Sequence, residues 1–327
     1  GQVQSMFGLL DESASWHGRS RRIASSRHDY LVLAHANVGV ASWQFAKGVI
    51  ADARRTATES IAVFQQEQDA RGLSLAIPIW VNCQRLEGRF SEALAVLYQE
   101  LPRMRTAEAP SFYVRLLLST AWCEMDLERL GRAQECVDEL AAAVRSDEHL
   151  HLRLESMLVW GRILLTSDNL EEALEVLNEV AQYAISSGLV VMGALANSLR
   201  AETLWKLDQK EEAKPLFDEA LGLLQRCGDL STTLAATIAL ARAAAVDISA
   251  EEIFQPLNSF LTAQPNDVGR LEKLLAQLRY DQHRGMNISQ LKHEALAVFE
   301  TICSRLNNTD RAIMRIHPWS RQLGQGS

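Results

Sequence analysis

Proline and glycine are scarce, at 7 and 17 of 327 residues. A sheet protein marks its frequent turns with those two residues, so the shortage argues against strands and for long helices with short connections. Alanine and leucine dominate the apolar set and β-branched runs are few, which agrees. Cysteine pairs are missing too: Cys83, Cys123, Cys136, Cys227 and Cys303 are odd in number and contain no CxxC spacing. A disulfide framework or cysteine zinc site is not expected, and a cytoplasmic location suits such a chain. No apolar run reaches the ~18–20 residues of a membrane span, and no signal-peptide pattern is read in the sequence. The longest candidate, Leu234 to Val246, is broken by Arg242.

A basic excess is also lacking. The chain has 33 Lys and Arg against 41 Asp and Glu, a net charge of −8, so a nucleic-acid surface is not expected. The one basic stretch, Arg19, Arg21, Arg22 and Arg27, reads as a solvated helix face or linker, with an anion contact as the alternative. No phosphate loop, dinucleotide glycine fingerprint, HExxH or GxSxG motif occurs. With no convergent acid, base, nucleophile and oxyanion group, no enzyme, cofactor or metal is expected. The His149–His151 pair near Asp147 and Glu148 points to different helix faces and reads as exposed loop. Cys83 and Cys123 read as small core residues. Without a secretory signal, the sequons at Asn287 and Asn307 carry no meaning. Pro78 and Pro215 fall inside expected helices and should kink them. The chain starts at Gly1 without a methionine, which reads as a piece of a longer protein.

What is present is a repeat. Stepping by 40 from the alanine of Ser91-Glu92-Ala93-Leu94 gives Ala53, Ala93, Ala133, Ala173, Ala213 and Ile253. Four residues on, the step gives Ala57, Leu97, Val137, Leu177, Phe217 and Leu257, and four further Ile61, Leu101, Ala141, Ala181, Leu221 and Leu261. A spacing of four is one helical face. Twelve residues earlier a column of small residues runs through Ala41, Val81, Ala121, Gly161, Ala201 and Ala241. Each repeat is thus two helices, with a small residue in the first where a neighbour approaches closely. Six such repeats span 30–264. Residues 1–29 break the column, with Ser13 at the alanine position, and read as a partial preceding repeat or N-terminal cap. Residues 265–323, whose Ala295 is two out of register, read as degenerate capping helices, and 324–327 as a tail.

Trp160-Gly161-Arg162-Ile163-Leu164 followed by Asp168-Asn169-Leu170-Glu171-Glu172-Ala173-Leu174 resembles a tetratricopeptide repeat. Its small residue falls at Gly161, its second-helix alanine at Ala173 and its large packing residue at Leu177. Two features depart from the family: the period is 40 rather than 34, and the closing proline is in step only at Pro265. The resemblance implies an all-α, right-handed superhelical solenoid of antiparallel helix pairs, with the first helices lining a concave face. Phe90-Ser91-Glu92-Ala93-Leu94-Ala95-Val96-Leu97 and Ala34-His35-Ala36-Asn37 are similar to the helical sensor regions of large bacterial signalling ATPases and serine/threonine kinases.

In that family the residues next round each first helix from the small column face the groove. Here they are Ser42, Asn82, Trp122, Arg162, Glu202 and Arg242, and one turn on Phe45, Arg85, Met125, Leu165, Trp205 and Ala245. The partner-binding set is therefore Asn82, Arg85, Trp122, Arg162, Glu202, Trp205 and Arg242. The arginines would take carboxylates or carbonyls, Asn82 a peptide main chain, and the tryptophans apolar area. The alternative is internal: the tryptophans merely pack between helices, and the arginines pair with Glu202 or with solvent. The expected function is a protein- or peptide-binding scaffold, the sensor region of a larger cytoplasmic regulator. The other reading is a solenoid that senses a small-molecule effector and changes curvature. No nucleic acid or membrane partner is expected.

Overall fold

The computed structural model describes residues 8–106, 110–143, 150–263 and 265–324. Every regular element among them is a helix. Helix α1 (Leu10–Ser26) precedes six pairs: α2 (Tyr30–Ala46) with α3 (Ile50–Gln66), α4 (Ala70–Leu86) with α5 (Phe90–Arg105), α6 (Pro110–Asp126) with α7 (Leu130–Ala143). The series continues with α8 (Leu150–Thr166) and α9 (Leu170–Ser186), α10 (Val190–Lys206) and α11 (Lys210–Cys227), then α12 (Leu230–Ala244) and α13 (Ala250–Ala263). Four further helices follow: α14 (Asp267–His283), α15 (Ser289–Ser304), α16 (Asn308–Met314) and α17 (Pro318–Gln322). Helices α1 to α16 each pack on their sequence neighbours, and each first helix also touches the next first helix, so the fold is an α-solenoid of helix pairs.

The turns halve the repeat. A residue with φ between 55° and 75° stands at positions 8, 28, 48, 68 and 88, and again at 128, 168, 188, 208 and 228. Positions 108 and 148 lie outside the described residues. From position 28 on, each ends a helix in the same way: the next N–H reaches back to a carbonyl five residues earlier, as from Asp69 to Phe64 O at 2.9 Å and from Arg89 to Gln84 O at 2.9 Å. That is the Schellman closure, which leaves no room for a longer connection. Where Asp29, Asp69 and Asp229 then begin a helix, their carboxylates cap the backbone N–H three residues on, at 2.9–3.0 Å.

The phased columns form the core. Ala53, Ala93, Ala133, Ala173, Ala213 and Ile253 are all fully buried, as are the small residues from Ala41 to Ala201. The third column is uneven, because Ala141 near the end of α7 is exposed. At Gly161 a methyl group would stand 2.7 Å from Leu177, so the close approach expected of that column is real. Ser13 does not break the packing: it is buried in the alanine slot, small enough to fill it, and α1 packs on α2 as a second helix does. Helices α4 and α11 run on through Pro78 and Pro215.

The solenoid closes on itself, with contacts recurring five repeats apart. Gly8, before α1, abuts Cys227 and Val190 of the fifth pair. Helix α2 of the first pair touches α12 of the sixth, and Gly228 abuts Lys47. In the second pair, Gly88 abuts Ile302 of α15 and the Glu87 carbonyl accepts from Arg305. The third pair meets α16 and α17, where Asp310 pairs with Arg129 and His317 Nε2 lies 3.3 Å from the Asp126 carbonyl. The C-terminal helices therefore do more than cover the last repeat. Leu271, Leu274, Ile302, Met314 and Trp319 share one buried cluster with the core of the second and third pairs.

Candidate functional site

Closure leaves an interior cavity of about 1280 Å³, walled by the first helices of all six pairs and by α1, α14 and α17. All seven residues predicted for the groove, Asn82, Arg85, Trp122, Arg162, Glu202, Trp205 and Arg242, line it. They share its wall because a 40-residue step returns the same helical face to the bore in every repeat.

Their charges are met inside the chain. Arg85 donates to both oxygens of Asp126, from Nε at 2.6 Å and Nη2 at 3.2 Å, and its Nη1 donates to Asn82 Oδ1 at 3.1 Å. Its guanidinium also lies 5.3 Å from the centre of the Trp122 ring. Glu202, buried, accepts from Arg162 Nη1 at 2.8 Å and from Arg242 Nε and Nη2 at 3.0 Å each. Arg242 reaches on to Glu272 of α14 at 3.9 Å, and Glu272 accepts from Trp319 Nε1 of α17 at 3.0 Å. A ladder of alternating charge thus crosses three repeats and ends on the C-terminal helices. Trp205 is buried, stacks near Phe217 at 6.4 Å and donates to Asp247 at 2.9 Å. The internal alternative holds for these contacts: the carboxylates expected of a partner are supplied by the chain.

Burial would raise the Glu202 carboxyl, but Arg242 and Arg162 overcome it and hold the group at about 2. Burial lowers Arg242, and Glu202 with Glu272 more than offsets that, leaving it raised. Arg162 ends lowered, by burial and by the neighbouring charge of Arg242. Burial pushes the Cys83 thiol up to about 12 and raises Cys123 as well, so both are inert core residues. His149 lies outside the described residues, while His151 is half-buried in the cavity wall rather than in an exposed loop. Among the described residues no His, Cys, Asp and Glu group is placed to hold a metal ion, and no helix is long and apolar enough to cross a membrane.

The column reading missed a second ring of the bore. Two turns before Trp122 and Arg162 stand Arg115 and Glu155, in the column His35, Leu75, Arg115, Glu155, Leu195 and Ala235, of which all but His35 line the cavity. The same 40-residue step finds this column, since a displacement of seven residues keeps a side chain on one helical face. Glu272, Arg279, His317 and Trp319 were out of reach, because nothing periodic places α14 and α17 against the bore.

Fold and site together define a helical-repeat solenoid curled around a half-open bore whose largely apolar wall carries charged groups. No protein-family model matches the chain, and no curated protein matches it.

Proposed function

We propose that the chain is a ligand-binding solenoid, the sensor region of a larger cytoplasmic regulator, and that its ligand is a small effector held in the bore. One observation carries this: the seven groove residues share the wall of one half-open bore of about 1280 Å³, far too small for a folded protein. A partner protein lying along the concave face would first have to displace α14 to α17. The relation to the tetratricopeptide family belongs to the same proposal, as does binding in place of catalysis.

Contacts five repeats apart make the bore's width depend on the curvature of the whole array. A ligand that favours one curvature therefore shifts the population of closed chains, as differential affinity requires. The test is a thermal-shift and tryptophan-fluorescence screen against metabolites, since Trp122, Trp205 and Trp319 all line the bore. A true effector raises the melting temperature and changes the emission together. A protein or peptide that binds while α14 to α17 stay docked, with no response to any small molecule, overturns the reading.

A further inference from the structure

Most charges in the bore wall are already answered by the chain. Arg85 has Asp126, and Arg162 and Arg242 have Glu202. Lys206 donates to the Leu165 carbonyl and Arg279 to the Ala241 carbonyl and Gln322. Asp229 caps its own helix. Glu128 has no direct partner among the described residues but lies in the field of Arg162, Arg321 and Arg242. Arg115 and Glu155 differ. The Arg115 side chain is half-buried yet makes no hydrogen bond and no ion pair among the described residues, its backbone carbonyl alone accepting from Ser119 Oγ at 3.2 Å. Glu155 has only His151, at 3.7 Å, and the Nδ1 of that histidine is buried without a partner. Burial pulls the Arg115 guanidinium below its usual value, and the attraction of Glu155 offsets this only in part.

The two groups stand one repeat apart in the same column, on adjacent first helices, and share the bore wall with Leu75, Leu195 and Ala235 of that column, while its first member, His35, pairs with Asp69 instead. They feel each other's charge but do not close into a salt bridge. A cation without a direct partner and an anion met only by a histidine, facing one space beside Leu75, Leu195 and Ala235, make a dipolar receptor. The whole wall carries as many acidic as basic residues: Arg85, Arg115, Arg162, Lys206, Arg242 and Arg279 against Asp126, Glu128, Glu155, Glu202, Asp229 and Glu272. A polyanion or polycation therefore gains nothing from the bore as a whole.

We infer that the bore takes a zwitterionic small molecule of the amino-acid type, its carboxylate on Arg115 and its ammonium on Glu155. The guanidinium fork matches a carboxylate in a bidentate pair, and the ammonium supplies the counter-charge that Glu155 lacks. Trp122, two turns along α6 from Arg115 and ~10 Å away by helical rise, flanks the space left for the ligand's body.

This rests on the bore being a small-molecule site, and the experiment separates the two claims. The folded chain is screened by thermal shift and calorimetry with α- and ω-amino acids, their amides and N-acetyl derivatives, and neutral sugars. At least one zwitterion is expected to bind, with its amide and its N-acetyl form weaker by about ten- to a hundredfold. Arg115→Gln should erase the preference for acid over amide, and Glu155→Gln the preference for amine over acetamide. Arg115→Lys, which keeps the charge and loses the fork, should fall between. Circular dichroism checks that each variant is folded. A ligand whose affinity drops in Trp122→Ala but not in Arg115→Gln or Glu155→Gln overturns the zwitterion assignment and leaves the bore reading standing. No binding anywhere in the panel overturns both.

Discussion

Arg162 and Arg242 are held by one carboxylate: Glu202 stands one repeat from each and accepts a total of three hydrogen bonds from them, at 2.8 to 3.0 Å. Glu202→Ala leaves two largely buried guanidiniums facing each other, with Glu272 at 3.9 Å from Arg242 and the more distant charges of Glu128 and Asp126 as the remaining counter-charge. Breaking a buried pair by removing one partner costs about 3–5 kcal/mol, whereas replacing the whole group with apolar residues of similar volume is often neutral. Urea unfolding should therefore show a large drop in midpoint for Glu202→Ala. The triple variant Arg162→Met, Glu202→Leu, Arg242→Met should recover most of it. Equal losses in both would mean the triad is needed for packing rather than for charge balance.

His317 makes the closure sensitive to acid. Burial pushes its imidazole down to about 4, with the nearby charge of Arg321 adding and the Asp126 carbonyl opposing. Nε2 faces that carbonyl, and Nδ1 accepts the Trp319 N–H at 3.2 Å, so the buried ring is neutral and a second proton has no place. The folded value lies below the unfolded one, near 6.5, so the unfolded chain binds more protons between them. The contribution is complete above about pH 6.5 and is lost as pH falls toward 4, on the order of 3 kcal/mol in all. Wild type should lose stability over that window, and His317→Asn, which keeps an acceptor for the Trp319 N–H, should lose less. Parallel curves for the two would remove His317 as the cause. Glu202 adds a separate loss, beginning below the ordinary carboxylate value of 4.5 and running toward 2.

The fold was legible because the columns are phased by packing. A small residue at 41, 81, 121, 161, 201 and 241 is demanded by helices that touch, and composition records that directly. The 20-residue half-period was not legible, since the left-handed turn residue is glycine at 8, 48, 88, 188 and 228 but His28, Gln68, Glu128, Asp168 and Asp208 elsewhere. A Schellman turn constrains the backbone at that site, and several polar side chains tolerate it at modest cost. Of the site, Arg162, Glu202 and Arg242 could be placed on one wall from spacing alone. That they neutralise one another followed less readily, because pairing depends on how far adjacent first helices rotate. The roles of Glu272 and Trp319 depend on closure over five repeats, a long-range geometry with no periodic trace in the chain.

The C-terminal closure hangs on Asp310, which is buried and pairs with Arg129 while accepting from Ser91 Oγ at 2.5 Å and Asn307 Nδ2 at 2.8 Å. Asp310→Ala strips Arg129 of one of its two carboxylates, Glu124 at 3.3 Å remaining. A loss of about 1–3 kcal/mol is expected, concentrated in the contact between α16 and the third pair. Hydrogen exchange should show the amides of α15 to α17 losing protection while those of α8 to α11 keep theirs. A uniform loss across the chain would mean that the closure and the array unfold as one cooperative unit.

Two helical glycines separate close packing from backbone cost. Gly39 in α2 faces His17 of α1, and a methyl group there would collide with the imidazole ring. Gly18, in the middle of α1, has nothing within 4 Å of where a methyl group would stand. Gly39→Ala must push the first two helices apart, an overpacking cost of about 1–3 kcal/mol. Gly18→Ala meets no such obstacle and removes the entropy penalty of glycine inside a helix, for a gain of about 0.5–1 kcal/mol. Thermal melts of the two variants should therefore move in opposite directions from wild type. If Gly39→Ala melts at or above wild type, α1 is not seated on α2 in solution, and the first contact of the closed solenoid, from Gly8 to the fifth pair, goes with it.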